Sequence, residues 1–162
     1  MEKEKLIEEI LEKEWSYFSK LNNIGGRADC QDNREDFIIM RKSQWETFNE
    51  ETLLSYLDDL NSKNNPLFQK YGQMMKYNSP QEYEKVKDIL ENPSKNKITS
   101  VEKIMSIYME WEEEFFKKYP IFSSMGRPLY STEDDYIETS IETYLRGELL
   151  SYSEKTLVLY LK

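Results

Sequence analysis

The sequence predicts an all-α protein, and three observations lead to that class. Apolar residues recur at every third or fourth position along most of the chain, capping residues precede several of these stretches, and no segment alternates with a period of two. With 162 residues the chain is long enough to bury one core. We therefore expect a single domain over residues 1–162, built of about seven or eight helices.

The first half of the chain predicts four helices. Their apolar stripes cover residues 3–21, 32–48, 49–60 and 66–75. Asp32 and Glu35 have the spacing of a capping box at the start of the second helix, and Asn49 is a typical N-cap for the third. The loop 22–31 lies between the first two helices.

The second half predicts four more helices. Their expected bounds are 79–90, 99–119, 133–151 and 153–162. The composition of the segment "ENPSKNK" predicts a linker before the helix that starts at Thr99. Because the last apolar stripe is still running at Lys162, we expect an incompletely covered apolar patch beside it. A homodimer partner is one way to cover such a patch.

Composition excludes several classes of function. There are 22 basic and 31 acidic residues, which give a net charge of −9, and this balance disfavours nucleic acid and anionic membranes as partners. No apolar run approaches the roughly 18 residues of a membrane span. The chain has one cysteine, so it forms no internal disulfide, and the cytoplasm is the expected compartment.

The complete absence of histidine narrows the possible chemistry. It removes Ser-His and Cys-His nucleophile pairs, histidine-ligated zinc and imidazole as an acid–base group. Any reaction would have to use carboxylates, tyrosine, lysine, arginine, Cys30 or an external cofactor. The cofactor stays unknown from the sequence.

The two halves of the chain resemble each other. Arg27 aligns with Arg127, and each Gly-Arg pair follows a helix that carries a tryptophan. Further on, "NEETLLSYL" at 49–57 matches "SEKTLVLYL" at 153–161 without a gap. We therefore predict duplicated halves, about 3–57 and 100–161, joined by 58–99 and related by a pseudo-two-fold axis. A chance likeness between two helical hairpins is the alternative.

Polar residues on apolar helix faces are the first candidates for a site. Arg41 and Gln44 fall in the stripe of the second helix, and Glu148 falls in that of the seventh. A buried charge is costly unless it is paired. Arg41 and Glu148 therefore either bind one another in the core or line a pocket in which a ligand pairs with them.

The loop "NNIGGRADCQD" is the second candidate. Gly25-Gly26 permits close backbone approach, and Arg27 beside it could bind a carboxylate or a phosphate. Cys30 lies just before a helix start, where a thiolate is stabilised. The alternatives are an ordinary turn after a helix and an inert cysteine.

Five sequence motifs resemble those of a bacterial family of uncharacterised proteins, frequent in Firmicutes. They are "GGRADCQD", "MRKSQW", "YGQMM", "GRP" and "ETYLRGELLSYS". The likeness covers nearly the whole chain, although typical members are longer and differ at Asp29 and Asn33. The family implies no activity. Its motif positions correspond here to Arg27, Cys30, Gln31, Asp32, Arg41, Ser43, Gln44, Arg127, Arg146 and Glu148.

Three functional hypotheses follow, and whether the chain is an enzyme stays open among them. In the first, a pocket between the halves takes an anionic metabolite, with Cys30, Asp32 and Glu148 as candidate catalytic groups. In that case Glu148 or Asp32 would transfer the proton, and we expect burial to raise the pKa of that group. The substrate-binding candidates are Arg27, Gln31, Arg41, Ser43, Gln44, Arg127 and Arg146.

The second hypothesis is a non-catalytic protein-interaction module, in which the polar motifs hold loops together. The third is a Mg²⁺-dependent all-α phosphohydrolase that uses pairs of acidic residues one helical turn apart, such as Glu110 and Glu113. Scattered motif residues would favour the second hypothesis, and their convergence on a cleft would favour the first.

Overall fold

The structure, a computed structural model, describes residues 2–22, 27–62 and 65–162. Over these ranges the chain is all-α, with nine α-helices and no β-strand, so the predicted fold class is confirmed. The helices are α1 (Glu2–Phe18), α2 (Arg34–Trp45), α3 (Glu50–Leu60), α4 (Pro66–Asn78), α5 (Pro80–Val86), α6 (Lys95–Lys118), α7 (Pro120–Ser123), α8 (Ile141–Ser151) and α9 (Glu154–Tyr160). The short helix α7 was not predicted. Among the described helices, none combines the length and the apolar character needed to cross a membrane.

The start of α6 differs from the prediction. The helix begins at Lys95 because the Ser94 hydroxyl oxygen accepts a hydrogen bond from the Lys97 backbone N–H, 3.1 Å away. Thr99, the predicted start, instead donates its hydroxyl to the Lys95 carbonyl one turn back. Three of the seven residues of the predicted linker are therefore helical.

The starts of α8 and α2 also differ from the prediction. α8 begins at residue 141, eight residues late, because Ser140 is the N-cap that accepts from the Thr143 N–H. The preceding residues bend around Asp134, which accepts from the Ser140 N–H at 2.6 Å. In α2 the N-cap is Asn33 rather than Asp32.

The main core is built from α1, α2, α3, α6, α8 and α9. Aromatic rings occupy its centre: Trp45 stacks on Tyr56 at 4.5 Å, and Tyr56 meets Tyr152 edge-on at 5.1 Å. Its buried apolar residues are Ile7, Ile10, Leu11, Trp45, Phe48, Leu53, Tyr56, Leu60, Val101, Ile104, Met105, Leu149, Tyr152 and Leu157.

Two groups of three helices pack in a similar way around this core. α1 lies against α2 and α3, and α6 lies against α8 and α9. The third helices of the two groups, α3 and α9, contact each other. There the Ser55 and Thr156 hydroxyls are 2.7 Å apart, and Asp59 accepts from Thr156 at 2.8 Å.

Helix α4 packs closely on α8, and Gly147 makes that approach possible. A Cβ atom at Gly147 would lie 2.9 Å from the Lys70 carbonyl oxygen and 2.6 Å from the Met74 side chain. No real Cβ atom approaches that closely, so the two backbones meet only because residue 147 has no side chain. This contact brings Lys70 beside Glu148.

Candidate functional site

Four charged side chains meet in the core where α1, α2, α4 and α8 come together. They are Glu14, Arg41, Lys70 and Glu148, and we call them the ionic network. Their side chains keep 7% or less of their surface exposed. Each comes from a different helix, so the network joins four elements of the fold.

Arg41 is the centre of the network, and Glu14 binds one side of it. The Arg41 Nε and Nη2 atoms donate to the two carboxylate oxygens of Glu14 at 3.1 and 2.6 Å. Trp45 Nε1 and the Tyr56 hydroxyl donate to the same carboxylate at 3.0 and 2.8 Å. This forked geometry is the strong form of an arginine–carboxylate pair.

Glu148 binds the other side of Arg41. It accepts from Arg41 Nη2 and Nη1 at 2.9 and 3.1 Å, and from the Gln44 amide at 3.0 Å. Lys70 Nζ donates to it at 3.1 Å, and the Tyr152 hydroxyl donates at 2.8 Å. Glu148 is thus the acceptor shared by the most partners in the network.

The charges of the ionic network balance, with two cations and two carboxylates. The cations also lie over aromatic rings: Lys70 Nζ is 3.9 Å from the centre of the Tyr144 ring, and the Arg41 guanidinium is 4.7 Å from that of Trp45. In the part of the chain that the structure describes, no buried side-chain nitrogen or oxygen is left without a hydrogen bond. The network is therefore internally complete.

The pKa values of Glu148 and Lys70 favour their charged forms. Burial alone raises the pKa of Glu148, but Arg41 and Lys70 outweigh it and hold the pKa well below its usual range. Burial lowers the pKa of Lys70, and the Glu148 carboxylate outweighs that effect and raises it. The direction at Glu148 is opposite to the one we expected, because paired cations and not burial dominate. Glu148 is thus a poor proton donor.

The loop residues predicted beside this cluster lie elsewhere and bind each other. Arg27 donates to Asp32 at 2.8 Å and to the carbonyl oxygens of Ser19 and Gln31 at 2.6 and 2.9 Å. The Gln31 amide donates to the carbonyls of Phe18 and Leu21, both at 2.9 Å. These bonds tie the loop to the end of α1.

The remaining loop candidates are not part of the ionic network. Cys30 is exposed. Gly25 and Gly26 lie outside the described residues. The structure therefore brings together Arg41, Gln44 and Glu148, and keeps the loop group apart from them.

The other predicted site residues are dispersed. Arg127 donates to the Thr139 carbonyl at 3.1 Å and lies over the Tyr144 ring. Arg146 pairs with Glu102 and Glu142. The hydroxyl of Ser43 donates to the Ile39 carbonyl within α2. Each of these side chains thus binds other groups of the chain itself, and Arg127 lies against the same Tyr144 ring as Lys70.

Sequence reasoning missed Glu14 and Lys70, although a signal for each was present. Glu14 continues the i, i+3, i+4 series of Ile7, Ile10 and Leu11 on α1, and Lys70 occupies the corresponding inward position of α4. Met40 of α2 is exposed, although its spacing from Phe37 and Gln44 predicts an inward position.

Two open cavities lie away from the ionic network. One, of about 770 Å³, lies between α6 and the segment after it; its wall includes Glu113, Arg127, Glu133 and Glu138. The other, of about 640 Å³, lies among α4, α5, α6 and α8. Among residues 2–22, 27–62 and 65–162, no group of three or more cysteine and acidic side chains is arranged to hold a metal ion.

The fold and the site define an all-α protein in which a buried ionic network joins α1, α2, α4 and α8. A family model for proteins of unknown function, DUF4125, matches residues 4–162. The chain belongs to this family. Comparisons with curated proteins and with solved structures find no match.

Proposed function

We propose that the chain is a non-catalytic protein-interaction module. In this proposal the motif residues hold the fold together and an exposed surface binds a partner. The proposal rests on the hydrogen bonds that the arginines of the motifs make within the chain. Arg27, Arg41, Arg127 and Arg146 each donate to a different carboxylate or carbonyl of the chain itself.

Exposed apolar side chains support the same proposal. Several large ones lie together in sequence on the second half of α6 and just after it, including Trp111, Phe122 and Met125, whose exposed fractions are 64%, 69% and 81%. Large exposed apolar patches on a folded protein commonly mark interaction sites. A partner surface would remove these side chains from water.

The anionic-metabolite hypothesis has less support. It needs free cationic side chains that face an open cavity. Of the predicted arginines, Arg127 lines the cavity beside α6, and Arg146 lines the other cavity but is paired with Glu102 and Glu142. Three carboxylates, Glu113, Glu133 and Glu138, line the same cavity as Arg127. Their charge disfavours a phosphate or carboxylate there.

Affinity purification tests the proposed function. The tagged full-length chain would be expressed in the organism that encodes it and purified under native conditions, with the tag alone as the control. We expect a protein partner in a fixed molar ratio.

A thermal-shift screen with carboxylated and phosphorylated metabolites tests the alternative. A true ligand at a hundred times its Kd adds about 2.7 kcal/mol to the unfolding free energy. Such a shift, together with no co-purified protein, would contradict the proposal.

A further inference from the structure

The second half of α6 lies at the edge of the core, where Met109 packs against it and is only partly buried. The buried residues of this helix are Lys97, Val101, Ile104 and Met105, and all of them precede residue 106. We call residues 106–118 the α6 arm. A helix in water is normally amphipathic, with its apolar face against the protein, so an arm without a buried residue needs an explanation.

The α6 arm carries an apolar stripe. Ile107, Trp111 and Phe115 are four residues apart, which places them on one face of the helix. Their exposed fractions are 45%, 64% and 39%. The ring of Phe122 on α7 is 6.0 Å from that of Phe115 and extends the stripe beyond the helix end.

Exposed carboxylates flank the stripe on one side. Glu110 and Glu114 are exposed and lie within one turn of Trp111. From residue 106 to residue 138 the sequence has eight acidic and three basic residues, so this stretch holds −5 of the total charge of −9. Glu110 and Glu114 therefore line one side of the stripe, and the exposed Lys103 and Lys118 lie one turn beyond its two ends.

We infer that the α6 arm binds a basic amphipathic helix of a partner protein. This inference rests on the proposed function and names its docking surface. Apolar side chains of the partner, spaced three or four residues apart, would cover Ile107, Trp111 and Phe115. Its lysine or arginine side chains would face Glu110 and Glu114.

Charge decides between this partner and a second copy of the chain. A second copy would bring the same exposed carboxylates, and the net charge of −9 on each copy adds repulsion. A basic helix removes the same apolar area from water and gains attraction to the flanking carboxylates. The binding is therefore expected to weaken as salt is added.

A designed peptide tests the inference directly. The probe is a fluorescein-labelled helix of about 18 leucine and lysine residues with one apolar face, long enough to form a helix on binding. Its anisotropy is measured with the full chain. We expect saturable binding, and no binding of the matching leucine–glutamate peptide.

Three double variants locate the binding surface. The first variant combines Trp111→Ala and Phe115→Ala. It is expected to weaken peptide binding at least about tenfold, since exposed aromatic anchors dominate such interfaces. The second variant combines Glu110→Lys and Glu114→Lys and is expected to weaken peptide binding by a similar factor. Glu8→Lys with Glu9→Lys makes the same charge change on exposed positions of α1 and is the matched control. Circular dichroism verifies that each variant folds.

Three results would overturn the inference. One is an equal loss of peptide binding in both charge-reversal variants, which would show attraction to any acidic surface. Another is unchanged binding after the Trp111 and Phe115 substitutions. The third is a dimer in sedimentation equilibrium that these two substitutions abolish, which would assign the surface to a second copy.

The test separates this inference from the proposed function. If a native partner co-purifies equally with the chain and with its Trp111→Ala, Phe115→Ala variant, the interaction module stands and the docking surface is wrong. If no partner co-purifies with either, the proposed function itself fails. Loss of the partner from the variant alone supports both.

Discussion

Glu14 and Glu148 bind opposite sides of one guanidinium, although the first lies in α1 and the second in α8. Arg41 Nη2 contacts both carboxylates, at 2.6 Å to Glu14 and 2.9 Å to Glu148. Lys70 lies in α4, and its ion pair with Glu148 joins that helix to α8. Helices from the two ends of the chain are thus held together by charges that are almost fully buried.

Replacing Arg41 by methionine is expected to destabilise the protein strongly. The change would leave two buried carboxylates with Lys70 as the one remaining cation of the network, and breaking a buried pair in this way costs about 3–5 kcal/mol. Urea denaturation at pH 7 measures the loss. Arg34→Ala is the control, because Arg34 lies on the same helix but its pair with Glu12 is exposed and is worth at most about 1 kcal/mol. Equal losses in the two variants would contradict the structural role.

The sequence was sufficient to identify half of the ionic network. Arg41 and Glu148 stood out because a charge on an apolar face requires a partner. Glu14 lies among so many other glutamates on α1 that its inward position went unnoticed. Its distance from Arg41 depends on how α1 packs on α2, which periodicity does not determine.

The helices were predictable and several of their starts were not. The stripes of α1, α3 and α4 follow from spacing alone. At α6 and α8 more than one serine or threonine could act as a cap, and the bonds that select Ser94 and Ser140 depend on their local surroundings. Local competition between caps therefore limits prediction of the boundaries.

Gly147→Ala is expected to cost more stability than Gly72→Ala. A Cβ at Gly147 would meet a backbone oxygen of α4, which cannot move without shifting the helix, so a loss of about 1–3 kcal/mol is expected. At Gly72 the nearest atoms belong to the side chain of Leu90, which can rotate. Thermal unfolding of the two variants compares them. A larger loss at Gly72 would show that α4 and α8 are less tightly packed than described.

The duplication of the two halves stays a prediction, and three similarities support it. Asn49 accepts from the Thr52 N–H at 2.8 Å, and Ser153 accepts from that of Thr156 at 3.2 Å. In both halves an arginine follows the first long helix and donates to a carbonyl just before the next N-cap. The helix groups also pack alike.

If the halves are related, the N-caps of α3 and α9 are expected to contribute equally to the free energy of unfolding. Asn49→Ala and Ser153→Ala should each cost about 1 kcal/mol, the usual value for losing an N-cap. Chemical denaturation measures both changes. The prediction fails if one substitution is neutral while the other costs the full amount.

Cys30 is expected to react freely with a thiol reagent in the folded protein. Its side chain is exposed and lies outside the ionic network. Labelling should therefore be complete without denaturant, and the labelled protein should unfold at the same urea concentration as the native one. Cys30→Ser gives the background rate. Labelling that occurs only after unfolding would contradict the described loop.

The lowered pKa of Glu148 predicts how the stability of the protein changes with pH. Its pKa is lower in the folded protein than in the unfolded chain, so its stabilising effect is present above about pH 4.5 and is lost as the pH falls through the folded value. The stability difference between the native chain and Glu148→Gln should therefore shrink on acidification from pH 5 towards lower pH. Urea titrations over that range, with the exposed Glu9→Gln as control, measure it. A constant difference would contradict the charged state of Glu148.

The free energy of unfolding of Glu148→Gln at pH 7 tests the central claim most directly. If the ionic network is structural, the substitution leaves Arg41 and Lys70 short of a carboxylate in the core and costs about 3–5 kcal/mol. A group kept for binding or catalysis behaves differently, since its removal often leaves stability unchanged or raises it. A large loss in urea denaturation is the result we predict. Unchanged or increased stability would contradict this account and return Glu148 to the role of a ligand-binding or catalytic group.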